Sequence, residues 1–325
     1  MSTLEFRVAI RDAIAEEMER DPTVIFLGED VAAAGGVFKA TPGLHEQFGS
    51  ERVVDTPISE LALAGTAFGA AVTGLRPVVE IMFGDFMALP MDALVNQAAK
   101  YWYISNEQAS IPLVVRSAVG GGGRFGAVHS QTHGTWFQGI PGLKIAMPSN
   151  SGEAKGLLKG AIRDPNPVIF LEHKRLYSVK DEVPETIDAI PLGQARIARE
   201  GDDLTIVSIG KGVRDALAAA EHLDLSVEVI DLRSLRPLDL ATVVASVEKT
   251  NRLLAVEEGP RTGGWATGVL GAVAEAALHD LDDAWIVATD ETPIPYSPTL
   301  EDAFMPNAET IVAEVRGRLG AAAAT

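Results

Sequence analysis

Apolar residues recur at two periods along this chain, and the switching between those periods sets out its elements. Phe6, Val8-Ala9-Ile10, Ala13-Ile14 and Met18 fall at helical spacing, which predicts an amphipathic helix over residues 4–20 that Asp21-Pro22 stops. Val24-Ile25-Phe26-Leu27-Gly28 is short and wholly apolar, the pattern of a strand buried on both faces. A Gly-rich loop follows over Ala32 to Gly36. Val53-Val54 ends another short strand, because Pro57 forces an extended Thr56 and cannot donate to a ladder. Ser59 is a good N-cap for a helix over 60–73, whose Ala, Gly and Thr residues allow very close packing on a neighbour. Val78 to Met82 reads as a strand, Phe86 to Tyr103 as a helix, Ile111 to Val115 as a strand and Gly120 to Gly126 as a loop. Leu143 to Met147 and Val168 to Leu171 complete the strands of this half. Between them, Asn150 and Glu153 form a capping box for a helix over 151–163.

Residues 178–195 are rich in Pro, Asp and Glu and read as a linker. The alternation then resumes. Strands are expected at Leu204 to Ile209, Val227 to Ile230, Leu253 to Val256 and Trp285 to Ala288. Helices are expected near 211–222, 239–249, 264–279 and 307–318, with an Ala-rich tail from Gly320 that frays. Strand–helix alternation throughout predicts two three-layer α/β domains with mostly parallel sheets.

The length of 325 residues suits two such domains, and 47% hydrophobic with 22% charged residues is ordinary for a globular chain. The longest uncharged run, Leu61 to Leu75, is too short to span a bilayer. Met1-Ser2-Thr3-Leu4-Glu5 shows no basic segment leading into an apolar one, so no signal peptide is expected. Zero cysteines exclude disulfides, thiolate metal sites and cysteine nucleophiles, and a cytoplasmic protein fits. The net charge of −18 argues against nucleic acid and membranes as partners and makes basic proteins better candidates, although by itself it need do no more than keep the protein in solution.

Gly121-x-Gly123-x-x-Gly126 matches a dinucleotide-binding fingerprint literally, but a polar, glycine-containing stretch follows where a helix must open. His129 and His133 are spaced to share a helical face, yet no third ligand accompanies them, which disfavours zinc. No Gly-x-Ser-x-Gly elbow and no Walker loop is present. Glu60 stands at a strand-to-helix turn, with almost nothing polar after it until Arg76. By local pattern alone it could be a first-turn glutamate favouring the helix dipole and facing water.

Asp55-Thr56-Pro57-Ile58-Ser59-Glu60 nevertheless resembles the signature of the β subunit of thiamine-diphosphate-dependent E1 2-oxo acid dehydrogenases. Further segments resemble the same family in collinear order. They include Gly84-Asp85-Phe86, Asn96-Gln97-Ala98-Ala99-Lys100, His129-Ser130-Gln131, Pro141-Gly142-Leu143-Lys144 and Ala161-Ile162-Arg163-Asp164-Pro165-Asn166-Pro167. Val229-Ile230-Asp231-Leu232-Arg233 and Leu235-Arg236-Pro237-Leu238-Asp239 extend the likeness into the second half.

The resemblance implies a pyrimidine-binding domain over 1–185, a linker over 186–195 and a transketolase C-terminal-like domain over 196–325. It implies that Glu60 bonds N1′ of the aminopyrimidine, that Phe86 stacks on that ring, and that Ile58 and Met82 line its pocket. Such a glutamate must hold a proton near neutral pH, against a reference value of about 4.3. Apolar neighbours such as Ile58 and Leu61 would favour the protonated form and the helix N-terminus the ionised one. His129 would help to position substrate or lipoyl group, as suits an imidazole near pH 7. A potassium site, largely of main-chain carbonyls, would involve Leu113, Ala161, Ile162, Asp164 and Asn166. The Gly-Asp-Gly motif that holds a divalent cation on the diphosphate is absent, so Mg2+ and the diphosphate fall to an α subunit, most simply in an α2β2 heterotetramer. The E2 dihydrolipoyl acyltransferase and its lipoyl domain are the further partner, with a basic segment docking on acidic Asp290-Glu291 and Glu301-Asp302. Pyruvate is the first substrate and acetoin the close rival, since Gly84-Asp85-Phe86 and Asn96-Gln97-Ala98-Ala99-Lys100 resemble that branch as well. Branched-chain oxo acids are third, and Leu89, where some pyruvate-type relatives carry a polar residue, leaves the substrate class open. The alternative of another class is a non-catalytic scaffold subunit.

Overall fold

Three strands of one sheet end side by side, and what leaves those ends makes the site described below. The computed structural model describes residues 1–322. The chain divides into two units, Met1–Gly120 with Trp136–Leu192, and Gly121–Thr135 with the chain from Gly193 onward.

In the first unit the strands run Lys144–Ala146, Val168–His173, Val114–Val119, Arg76–Phe83, Val24–Gly28, Val53–Asp55 across the sheet, every neighbouring pair parallel. Gly28 is in register with Asp55 on one side and Glu80 on the other. The helices Phe6–Arg20 and Ser151–Arg163 cover one face. Their Phe6, Ile10, Ile14, Leu157 and Leu158 are fully buried against Phe26 and Phe170 of the strands. As the capping box requires, Asn150 Oδ1 accepts the Glu153 N–H at 2.9 Å.

Several elements differ from expectation. The helix expected over 86–103 is broken into a 3-10 turn at Gly84–Ala88, a π-helical turn at Asp92–Ala98 and a single α turn at Tyr101–Ile104. Pro90 lies inside that span, and a proline ring clashes with the preceding helical turn. The strand expected at 111–115 starts instead at Val114, after Pro112, which has no N–H for a ladder. Within the expected linker, Lys180–Val183 pairs antiparallel with Ser2–Glu5.

The second unit carries a five-stranded sheet, ordered Asp283–Thr289, Arg252–Pro260, Leu204–Ser208, Val227–Asp231, Arg196–Arg199. Only the last pairing is antiparallel, and that edge strand is too charged to show as an apolar run. Leu204, Ile206, Val229 and Leu254 form its core with Val213, Ile311 and Val315 of flanking helices. The last helix runs Ala308–Ala322, past the expected fray point at Gly320; residues 323–325 lie outside the described residues. No described helix is long and apolar enough to cross a membrane.

An ion network is buried in the first unit. Arg116 donates to both Glu172 oxygens at 2.7 and 2.8 Å and to Glu80 Oε2 at 2.9 Å, while Tyr177 Oη donates to Glu172 at 2.9 Å. Burial opposes the charge on Arg116, yet the two carboxylates hold it well above its usual range; burial likewise pushes Glu80 up against the pull of Arg116. Arg116→Ala should therefore cost about 3–5 kcal/mol by leaving two buried carboxylates uncompensated. An unchanged urea midpoint would rule that out.

Candidate active site

Glu60 opens the helix Glu60–Val72 and is only 8% exposed, so the water-facing reading of this residue does not hold. Its turn is tied to the neighbouring strand, since Thr56 N–H donates to the Gly28 carbonyl at 2.9 Å and Asp55 Oδ1 accepts from Ala32 N–H at 2.7 Å. Gly28 needs to be glycine here, because a Cβ would lie 2.6 Å from Val31 and 3.2 Å from Glu80. The pairing of Gly28 with Asp55, continued by the Thr56 hydrogen bond, brings the chain after Gly28 next to the chain after Asp55.

The residue after Gly28 is Glu29, and sequence reasoning missed it. Glu29 is buried, and its Oε1 has no hydrogen-bond partner. Burial first, and then the charge of Glu60, push its carboxyl up, while the Ser59 N–H pulls it down. Two buried carboxyl groups thus lie within each other's electrostatic reach beyond the carboxyl ends of adjacent parallel strands, where ligands bind in open α/β sheets. The available signal was an acidic residue straight after a wholly apolar strand.

Met82 and Phe86 leave the third strand end, from Arg76–Phe83 and the 3-10 turn after it, and both are half-buried. Phe86 meets Phe83 edge to face at 5.7 Å, Phe83 meets Phe38 at 5.5 Å, and Phe38 stacks on Tyr177 at 5.1 Å. The aromatic run therefore connects Phe86 to the Arg116 network. Ile58 and Leu61 do not provide the apolar cover expected of them over Glu60, being 83% and 53% exposed. They sit next to Glu60 in the chain but point to solvent.

His129 belongs to the second unit, on the loop Gly121–Thr135. It is partly exposed, and its N–H donates to the Gly126 carbonyl at 3.4 Å. His129 and His133 do not share a helical face, because the short helix begins only at Gly134. The Gly-rich match beside them holds carboxylates of the same chain. Gly122 N–H and Arg124 N–H donate to Glu301 at 2.9 and 3.0 Å, and Gly121 N–H donates to Glu258 at 2.7 Å. Glu301 is fully buried and Asp302 is gripped by Arg124 through both oxygens at 2.7 Å. Glu301 is thus engaged internally and presents no charge at the surface, while Asp302 remains exposed beside Arg124.

The residues expected around potassium lie at the opposite, amino ends of the strands. Arg76 Nη1 donates to the carbonyls of Ile162 at 2.9 Å and Asp164 at 3.4 Å, so these two oxygens converge on one cation. The carbonyls of Leu113 and Ala161 accept Val168 N–H and Asp164 N–H, and Asp164 Oδ1 accepts from the Asn166 side chain at 3.0 Å.

Comparison with known proteins gives this geometry its context. Residues 2–180 match the family described as transketolase, pyrimidine binding domain, and residues 193–311 match transketolase, C-terminal domain. The chain is 46% identical to the pyruvate dehydrogenase E1 component subunit beta of Rhizobium meliloti, over 97% of this chain and 70% of that protein. It is 45% identical to the 2-oxoisovalerate dehydrogenase subunit beta of Bacillus subtilis, over 97% and 98% of the two chains. It is also 46% identical to the acetoin:2,6-dichlorophenolindophenol oxidoreductase subunit beta of Cupriavidus necator, over 96% of each. A solved split-gene transketolase, titled an inactive beta4 tetramer, shares the fold at a TM-score of 0.80 and 22% identity, over 97% of each chain. With two transketolase-type regions in tandem and this identity along nearly its whole length, the chain belongs to the thiamine-diphosphate-dependent family of E1 β subunits of 2-oxo acid dehydrogenases.

Proposed function

We propose that this chain is the β half of an E1 enzyme that decarboxylates pyruvate and passes the acetyl group to the lipoyl arm of an E2 acyltransferase. The observation that carries the reading is the buried Glu60 beside Glu29 at the carboxyl ends of three parallel strands. Thiamine diphosphate supplies there the carbon nucleophile that adds to the oxo acid and takes up the electron pair released with carbon dioxide. The orphaned Glu29 oxygen, the half-buried Phe86 and Met82 and the exposed apolar Ile58 fit an aromatic, polar-edged ring.

On this reading Glu60 exchanges a proton with N1′ of the aminopyrimidine. Phe86 would cover the ring face and Met82 would line its pocket, while Ile58, which points to solvent in this chain, would do so only with the α subunit closing over it. His129 handles a proton near the acyl group. Residues 1–185 form the pyrimidine-binding domain and 196–325 the C-terminal domain. A potassium ion at the carbonyls of Leu113, Ala161, Ile162 and Asp164 together with Asn166 would use their second lone pairs and would have to share the Ile162 and Asp164 oxygens with the Arg76 guanidinium.

The α subunit provides Mg2+ and the diphosphate contacts and completes an α2β2 assembly. The surface of the first unit supports a partner chain. Tyr103 and Ile104 are exposed, and Gly65 and Gly69 on the helix Glu60–Val72 have nothing within 4 Å of where a Cβ would stand. A cytoplasmic location accompanies this reading, with the −18 charge keeping this chain off nucleic acid and anionic membranes.

The test is turnover of the assembled αβ enzyme on pyruvate, acetoin and 2-oxoisovalerate with lipoamide as acceptor. Pyruvate should lead in kcat/KM by about tenfold or more, a discrimination that a few apolar contacts can supply. A lead for acetoin or 2-oxoisovalerate would overturn the substrate, and silence on all three would overturn the function.

A further inference from the structure

We infer that Glu301 is a positioning residue for His129: its buried carboxylate holds in one conformation the glycine-rich loop that carries this histidine. The inference rests on the role proposed for His129. It starts from a motif that the chemistry above leaves unused. A run such as Val119-Gly120-Gly121-Gly122-Gly123 has more backbone freedom than any other residue type allows, and left to itself it would scatter whatever follows it.

The structure answers that freedom with carboxylates. Gly122 and Arg124, both at positive φ, turn their N–H groups inward to make a small anion-binding concavity. Its occupant is Glu301, from the helix Pro298–Phe304. Oε1 takes the Gly122 N–H at 2.9 Å, and Oε2 takes the Arg124 N–H at 3.0 Å and the guanidinium Nη1 at 2.7 Å. Three donors on one ionised group make charge-assisted hydrogen bonds, and no water competes at a fully buried carboxylate. Arg124 is a non-glycine residue in the left-handed region, a conformation that needs such fixing. Glu258 Oε1 closes the loop at both ends, accepting Gly121 N–H at 2.7 Å and Thr132 Oγ1 at 3.3 Å. A Cβ on Gly121 would overlap Met305 Cε at 1.8 Å, so the loop lies directly on the end of the helix that bears Glu301. His129 sits between these anchors.

Glutamine at 301 keeps the shape but turns one acceptor oxygen into an N–H donor facing other donors. In the assembled αβ enzyme, Glu301→Gln should lower kcat about 10- to 100-fold, the effect of a displacement of about 1 Å at a reacting group. KM for the 2-oxo acid and thiamine diphosphate affinity should stay within about twofold. Hydrogen exchange should speed up at the amides of Gly122 to Ser130 and not in the sheet of the second unit. The double variant Glu301→Gln/His129→Ala should be no slower than His129→Ala alone, because both changes act through one group. Additive losses, or loop amides as protected as in the wild type, would overturn the inference. If His129→Ala itself turns over normally, the reading of His129 fails, while loop exchange in Glu301→Gln still decides whether Glu301 holds the loop. Should Glu301→Gln not assemble, Arg124→Ala carries the test, with a loss of about 3- to 10-fold and the same exchange signature expected. Wild-type kcat and exchange in that variant would count against the inference.

Discussion

Glu60→Gln is expected to slow deuterium exchange at C2 of bound thiamine diphosphate by about 10²- to 10⁴-fold, the range associated with one positioned proton-transfer group. The substitution keeps the side chain's length and volume at the first turn of the helix Glu60–Val72. Fold and assembly should therefore be retained, as circular dichroism and size-exclusion chromatography would report. What is lost is a proton that can move between the side chain and N1′, since an amide does not titrate. The setting makes the effect large: at 8% exposure little water can reach Glu60 to stand in for the missing carboxyl. Glu29 lies within its field, its own carboxyl pushed up first by burial and then by the charge of Glu60. Exchange in the variant at the wild-type rate would remove Glu60 from the reaction.

The second large effect concerns the isolated chain. Without its α partner it should bind thiamine diphosphate and Mg2+ at least about 100-fold more weakly than the αβ assembly and turn nothing over. No Gly-Asp-Gly motif is present: Gly84-Asp85 runs into Phe86 and Gly201-Asp202 into Asp203. The glycine-rich loop over Gly120 to Gly126 cannot cradle a phosphate, because Glu301 and Glu258 of the same chain already fill it. An anion would have to displace two carboxylates of like charge, and of these Glu301 is already fully buried. Ile58 and Leu61, exposed beside Glu60, mark where a pocket wall is missing from this chain. Calorimetric titration of the β chain with the cofactor, repeated after adding the α chain, measures the difference. Tight binding and turnover by the β chain alone would be fatal to the shared-site reading.

The sequence by itself determined the buried strands, the major helices and the family. Val24–Gly28 and the stretch Val168–Leu171 are legible because strand segments buried on both faces are mostly apolar, whereas buried Glu172 and His173 extend the second strand past its apolar run. Ser151–Arg163 is legible because its cap and its apolar face lie within a few residues of one another. Edge strands such as Lys180–Val183 and Arg196–Arg199 escaped, since their polar side chains carry no burial signal. Only the tertiary structure decided what the acidic residues do. Glu29 meets Glu60 because Val24–Gly28 pairs in register with Val53–Asp55, and that pairing is written in neither segment alone. Glu301 and Gly122 stand 179 positions apart, and the sequence around Glu301 reads like a solvated acidic turn. A carboxylate looks the same in sequence whether it faces water or buried N–H groups. Desolvation and hydrogen bonding distinguish the two, and both are set by what the fold brings alongside.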